Sequence, residues 1–394
     1  MNLKNKMIKQ IFKIIRDYSI SIITFCKILF LRYKKRKKSC LIITNGMGYG
    51  GAPLVLLEVA KNYRNQGYKV IVVTEHYGPL IRVFQKEKIS IWITPKYQYG
   101  FKKLILKCNF SFVFVNTITL YQWIEYLEFR SIPALWWIHE SDSYVKQLCT
   151  CIPKKLTSTR VLTVSERTVS ALRKYNINYS TDMLYYGLDD LSLSKNDTHE
   201  TKHSLFTYLV LGAICKRKNQ LEAINAYNRL PDSIKQNSTL LFIGEAIDGE
   251  ENYYQTFIKT IASFPNIKYL TKINRDAISE LFKTIDTLIC CSIDDPLPVV
   301  VTESFMFGKL VILSSKVGQY SLIKDGYNGY TYSSGNADEL KEKMLLAWEN
   351  RDNIQSQAIQ KLYQYHFSKE RFEEQLCHYT KSLLQKSSNT SKGK

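Results

Sequence analysis

The chain is expected to fold as an α/β protein of two domains, each a parallel sheet with helices on both faces. Three observations lead there. Its 394 residues exceed what one hydrophobic core ordinarily serves. Short apolar runs of strand length alternate with longer helical patterns, the βα rhythm of a parallel sheet. That rhythm stops once, in the Ser-, Asn-, Asp- and Thr-rich stretch 191–204, and then restarts.

Each element has its own justification. Cys40-Leu-Ile-Ile-Thr44 is a continuous apolar run suited to burial on both faces. The glycine-rich loop Asn45-Gly-Met-Gly-Tyr-Gly-Gly51 follows, and then a helix from about Pro53 to Gln66 that Gly67 stops. Strands are expected at 69–74, 89–93, 112–115, 134–138 and 160–164. After the polar break they recur at 206–212, 239–244, 267–270, 287–291, 310–313 and 329–332. Helices are expected between them near 219–230, 253–263, 275–284 and 298–307. The expected division is a basic segment 1–38, a first domain 39–190, a linker 191–204, a second domain 205–360, and a carboxy-terminal helix with a polar tail, 361–394.

The apolar fraction, 45%, is that of a globular protein. The nine cysteines lack metal-site spacing: Cys149 with Cys151 and Cys290 with Cys291 stand too close to be zinc pairs. Free thiols in a reducing cytosol are expected. No Asp-x-Asp pair or zinc signature stands out, so no metal and no cofactor are expected.

The net charge of +20 is uneven. Residues 1–38 hold twelve Lys and Arg against one acid, Asp17, which leaves +9 for everything else. At about 100° per residue, Lys6, Lys9, Lys13, Arg16 and Lys27 share one helical sector. Ile11, Ile15, Tyr18, Ile22, Phe25 and Leu29 lie opposite. The uncharged run 18–26 is too short to span a bilayer, which takes about 20 residues, and no small-residue cleavage site marks a secretory leader. The expectation is a helix lying in the headgroup plane of an anionic membrane on its cytoplasmic face, making the protein peripheral. A basic tail, or a helix packed on the protein's own body, are the alternatives. Nucleic-acid binding fits less well, because the aromatic residues lie on the apolar face rather than among the basic ones.

Candidate binding residues cluster at the carboxyl ends of expected strands. Asp295-Pro-Leu-Pro-Val-Val-Val-Thr-Glu303 puts one carboxylate in the loop after a strand and another on the second turn of the next helix. Both can face the crevice where open α/β sheets bind ligands. Ionised carboxylates accept hydrogen bonds from sugar hydroxyls. Lys216-Arg217-Lys218 precede a helix amino terminus and suit a diphosphate. Gly50 and Gly51 sit between a strand and a helix, where backbone N–H groups approach phosphate, although tight turns use glycine anyway. His139 ends a strand; a lone histidine is more often structural. Gly318 opens another loop toward the same crevice, or is an ordinary turn.

Taken as an ordered set, these pieces resemble the GT4-type, GT-B-fold glycosyltransferases of group 1. The landmarks are Gly48-Tyr-Gly-Gly-Ala-Pro-Leu-Val-Leu-Leu-Glu58, Trp137-Ile-His-Glu140, Leu162-Thr-Val-Ser-Glu166, Tyr185-Tyr-Gly-Leu-Asp189, Arg217-Lys-Asn-Gln220, 295–308, and Asp325-Gly-Tyr-Asn-Gly329. The resemblance implies two facing Rossmann-like domains with a cleft between them, the donor nucleotide on the second, and retaining sugar transfer without a metal. It implies that Glu303 binds the ribose, Asp295 the donor sugar, Lys218 the diphosphate, Gly50 and Gly51 the region of the phosphates, and His139 the transferred sugar. Ala213 stands where the family often has Arg, Asp295 is one methylene shorter than the usual Glu, and Leu322 stands where many members carry Glu. The implied donor is a UDP-, GDP- or dTDP-sugar. The implied acceptor, given the basic start, is a polyprenyl-linked or cell-surface glycan. A catalytically degenerate subunit that binds a partner enzyme or a glycan is the competing expectation.

Overall fold

The computed structural model describes residues 38–48, 51–93, 110–193, 205–274 and 277–392. The expected membrane-surface helix, apart from Lys38, the glycine Gly50 and most of the linker 191–204 lie outside these residues. The described chain forms two compact units. The first runs to Val164 and includes Val169–Leu184 and the chain from Glu373 onward. The second comprises Ser165–Thr168 and Tyr185–Phe372.

The first half of the chain runs β1 (Ser39–Gly46), α1 (Gly51–Asn65), β2 (Lys69–His76), α2 (Leu80–Lys86), β3 (Ser90–Ile93), β4 (Phe112–Asn116), α3 (Tyr121–Phe129), β5 (Ala134–Ile138), α4 (Asp142–Leu148), β6 (Thr159–Thr163), α5 (Glu166–Lys174) and β7 (Thr181–Met183). The seven strands form one sheet in the order β3-β2-β1-β4-β5-β6-β7, with every pairing parallel. Cys40, Leu41, Ile42 and Ile43 are all fully buried, as are all five residues of β5. Such runs have no solvent face, which is the mark of a parallel strand covered on both sides. Leu41, Ile43, Val113, Val115 and Trp136 belong to one cluster that α3 seals with Trp123, Ile124 and Leu127.

The second half continues with β8 (Phe206–Leu211), α6 (Gln220–Asn228), α7 (Asp232–Gln236), β9 (Ser238–Ile243), α8 (Glu251–Ile261), β10 (Ile267–Leu270), α9 (Ile278–Thr284), β11 (Thr287–Cys290), α10 (Val299–Met306), β12 (Leu310–Ser314), β13 (Tyr330–Tyr332), α11 (Ala337–Glu349), α12 (Ser356–Leu362) and α13 (Lys369–Lys392). Its six-stranded sheet has the order β10-β9-β8-β11-β12-β13, again all parallel. Aromatic side chains anchor helices to this sheet. Phe242 meets Phe257 of α8 edge-on at 5.2 Å, and the Tyr208 hydroxyl donates to the Met344 carbonyl of α11 at 2.8 Å.

The carboxy-terminal segment expected at 361–394 is divided between the units at Phe372 and Glu373. From Glu373, α13 packs on the first unit. Leu376, Thr380 and Leu383 are buried, and Thr380 Oγ1 lies 2.9 Å from the buried Tyr63 hydroxyl. The Tyr379 hydroxyl donates to the Met183 carbonyl at 2.9 Å, and the Arg160 guanidinium, which also donates to Ser382 Oγ, covers the Tyr379 ring. Leu376→Ala removes a fully buried side chain and is expected to cost about 2–5 kcal/mol. The measurement is the urea midpoint followed by far-ultraviolet circular dichroism.

Candidate functional site

In each sheet the order of the strands reverses once, between β1 and β4 and between β8 and β11. Loops leaving the two strands at such a point diverge and open a crevice at their carboxyl ends. In the second unit those loops carry the charged residues.

The loop after β8 leaves through Gly212, whose φ of +147° suits glycine. Lys216–Lys218 then make one turn of 3₁₀ helix, and Asn219, in the left-handed region at φ +55°, leads into α6. Gln220 Nε2 donates to the Ala213 carbonyl at 2.8 Å and closes the loop on itself. The loop after β11 is held by the Lys218 carbonyl, which accepts the Cys291 thiol, and by the Ile293 amide donating to the Arg217 carbonyl at 2.9 Å. Further along, the Asp295 amide donates to Lys316, and the Asp295 carbonyl accepts the Gly318 amide at 2.9 Å.

Across this frame Lys218 Nζ lies 2.5 Å from Asp295 Oδ2, and Arg217 Nη1 reaches the same oxygen at 3.1 Å. Arg217 Nη1 also donates to the Asp294 carbonyl at 3.0 Å. The side chains of Lys218 and Asp295 are 16% and 10% exposed, that of Arg217 50%. Burial acts to lower the Lys218 pKa, but the Asp295 carboxylate outweighs it and holds the ammonium above the ordinary lysine value. Burial likewise acts to raise the Asp295 pKa, and Lys218 and Arg217 together hold it below the ordinary aspartate value. The neighbouring Asp294 is turned elsewhere: Arg167 Nε and Nη2 donate to its Oδ1 at 3.1 and 2.7 Å.

The structure thus brings Lys218, Arg217 and Asp295 into direct contact and hangs Gly318 on the Asp295 backbone. A Cβ on Gly318 would fall 1.5 Å from the Pro296 carbonyl oxygen, so the close approach admits only glycine. Glu303 lies on the second turn of α10, 2% exposed. The start of that helix is tied to the Gly318 loop by Gln319 Nε2, which donates to the Pro298 carbonyl and Thr302 Oγ1 at 3.0 and 3.3 Å. Lys216 stands outside the carboxylate network; its amide faces Glu250 and its side chain is exposed.

The first unit has a separate polar cluster at its own reversal point. His139 Nε2 and Asn116 Oδ1 are 2.6 Å apart, both residues buried. Burial pushes the His139 pKa down to about 3, so its imidazole is neutral at physiological pH. Glu140 Oε2 accepts the Ile118 and His139 amides at 2.9 and 3.0 Å, stapling the turn after β4 to the end of β5. Burial raises the Glu140 pKa to about 7, against those amide donors. Between Asn116 and Ile118, Thr117 sits at φ +96°, an uncommon conformation for a β-branched residue, with Oγ1 2.6 Å from Thr119 Oγ1. Gly51 is the first residue of α1. Sequence reasoning missed the Asn116–His139 and Arg167–Asp294 pairs and the stapling role of Glu140.

Comparison with known proteins gives two family matches. Residues 195–365 match the model described as glycosyl transferases group 1, and residues 36–176 the model described as glycosyl-transferase family 4. An uncharacterised glycosyltransferase of Methanocaldococcus jannaschii is 23% identical over 138 residues, a stretch covering 34% of this chain and 35% of that protein. Among solved structures, HepE of Anabaena in complex with UDP shares the fold with a TM-score of 0.75 at 19% identity, over 87% of this chain and 100% of that one. HepE with UDP and glucose gives 0.74 at 17% identity, over 88% and 100%. The lipopolysaccharide outer core galactosyltransferase WaaB gives 0.69 at 14% identity, over 87% and 98%.

The Glu140 environment has a consequence for stability. Its folded pKa, about 7, exceeds that of an unfolded glutamate, so between about pH 4.3 and 7 the unfolded chain gives up this proton first. Its contribution to stability is therefore lost as pH rises through that window. Glu140→Gln, which keeps an acceptor for both amides, is expected to raise the melting temperature relative to wild type above pH 7 and to leave it nearly unchanged at pH 4. Melting curves of both proteins across that range make the comparison.

Proposed function

The chain belongs to the group 1 glycosyltransferases, and from that premise we propose that it moves a sugar from a nucleotide-sugar donor to a lipid-linked or cell-surface glycan acceptor, with retention of anomeric configuration. The observation that carries this reading is the Lys218–Asp295–Arg217 cluster at the strand-order reversal of the second unit. That HepE has been solved with UDP, with UDP and glucose, and with UDP-glucose makes a UDP-hexose the first donor to test.

In the proposed reaction the anomeric C–O bond to the diphosphate breaks and a C–O bond to the acceptor oxygen forms. The acceptor's hydroxyl proton passes to a diphosphate oxygen as the charge of the leaving group develops. Lys218 and Arg217 stabilise that charge, and such preorganised donors are usually the largest contribution to catalysis. Asp295 and Glu303 accept hydrogen bonds from the hydroxyls of the sugar and the ribose. With no side chain assigned as a nucleophile, same-face attack is the proposed route. The reading includes no metal, so the assay is run with EDTA.

The neighbours WaaB and WaaG, both named for lipopolysaccharide glycosyltransfer, make a glycan anchored in a membrane a reasonable acceptor class. Among the described residues no helix is long and apolar enough to cross a membrane. We assign attachment to the anionic inner membrane surface to the basic segment 1–38. The competing reading, a non-catalytic subunit, draws on Ala213 and Leu322; transfer assays against a panel of nucleotide sugars separate the two.

A thermal-shift screen with UDP-, GDP- and dTDP-sugars identifies the donor through ligand-linked stabilisation. With that donor, Lys218→Ala is expected to lower turnover about a hundredfold or more while its circular dichroism stays that of wild type. Near-normal turnover would remove the assigned role. Deleting residues 1–38 is expected to abolish sedimentation with phosphatidylserine vesicles; retained binding would place the anchor elsewhere.

A further inference from the structure

Two cations share one carboxylate oxygen in the second unit, and that arithmetic is unbalanced. Lys218 and Arg217 both converge on Asp295 Oδ2, so the cluster carries one positive charge in excess. Asp294, the adjacent acid, turns its carboxylate to Arg167. An anion with two or more charges is a better counter-ion for this pair of cations than one carboxylate.

The backbones on both sides are clamped. The Lys218 amide donates to the Cys215 carbonyl, and the Lys218 carbonyl accepts the Cys291 thiol. The Asp295 amide donates to Lys316, and its carbonyl accepts Gly318. These bonds hold the backbone on each side of the contact. The Asp295 side chain has only two rotatable bonds, so breaking its bond to Lys218 requires no change of fold. Arg217, half exposed, is the side on which an incoming anion first meets charge.

We propose that Asp295 is a resident counter-ion that holds the place of the donor's diphosphate between Lys218 and Arg217 and is displaced from the two cations when the diphosphate binds. This inference rests on the reading of the second unit as the donor domain. Binding then exchanges one carboxylate for a more highly charged group on the same cations, and it frees the carboxylate to accept hydrogen bonds from donor hydroxyls. After transfer, the returning Asp295 competes with the nucleoside diphosphate for Lys218 and Arg217 and so assists its release. The side chain acts against product binding and for turnover at once.

The test is isothermal titration of the full-length chain with UDP, GDP, dTDP and inorganic pyrophosphate. Asp295→Asn is expected to bind the preferred nucleoside diphosphate about tenfold more tightly than wild type, since a like charge beside the anion has been removed. The gain is expected with pyrophosphate as well, and transfer slows. Asp294→Asn makes the same change in net charge one residue away and is expected to alter affinity by less than about twofold; Asp295→Glu, which keeps the charge, is expected to show no gain. If Asp295→Asn proves too unstable to titrate, its thermal midpoint should rise more on adding pyrophosphate than that of wild type. Equal or weaker binding by Asp295→Asn, or an equal gain from Asp294→Asn, overturns the counter-ion role while leaving the donor-domain reading standing. Failure of the wild type to bind any of the three nucleoside diphosphates overturns that reading itself.

Discussion

The contact between Lys218 and Asp295 is the constraint on which the second unit's site depends. It joins the loop after β8 to the loop after β11, the two loops that diverge where the strand order reverses. Parallel pairing alone leaves such a crevice open. Here it is bridged at 2.5 Å by a pair of charges whose side chains are mostly shielded from water. A buried ion pair is weak support for stability, because desolvating the two charges offsets much of their attraction. A pair at the carboxyl edge of a sheet, with a second cation on the same oxygen, is therefore not accounted for by folding stability alone.

Much of the fold was legible because parallel strands covered on both faces are continuous apolar runs. The strands Ala134–Ile138 and Ile267–Leu270 coincide with their expected ranges, and most others differ by only a residue or two at an end. The edge strand Thr181–Met183 was not foreseen. Thr-Asp-Met has no apolar periodicity, and its extended conformation comes from pairing with Val161–Thr163 rather than from its own composition. The route of α13 was equally hidden. Its apolar positions are visible in the sequence, but nothing local says that Thr380 meets Tyr63, 317 residues away.

The site divides along the same line. Residue type and position at strand ends marked Lys218, Asp295, Glu303 and His139, because those are the places where an α/β sheet presents side chains to ligands. Partnerships across long separations were not marked. Arg167 and Asp294 are 127 residues apart, and Asn116 and His139 are 23 apart. Some family landmarks turn out to serve the framework. Asp325 caps its own turn through Thr331 and binds Lys343 at 2.7 Å, and Gly187 lies so close to Phe372 that a Cβ there would fall 2.5 Å from it. Glu140, adjacent to His139, had no separate signal, yet it fixes the His139 amide to the turn holding the strained Thr117. That staple sets the direction in which His139 leaves its strand.

The run Lys216-Arg217-Lys218 shows how local geometry makes three similar charges unequal. In a 3₁₀ turn successive side chains are about 120° apart, so three consecutive residues cannot face one ligand. Lys218 turns inward onto Asp295, Arg217 reaches the same carboxylate from the half-exposed side, and Lys216 faces solvent. Asn219, in the left-handed region, ends the turn and starts α6, so this partition is fixed by the backbone. Four residues after Ala213, Arg217 directs one guanidinium nitrogen, Nη1, at both the Asp294 carbonyl and the Asp295 carboxylate. The conformation of this turn, and not its net charge alone, therefore decides which of the three cations meets Asp295.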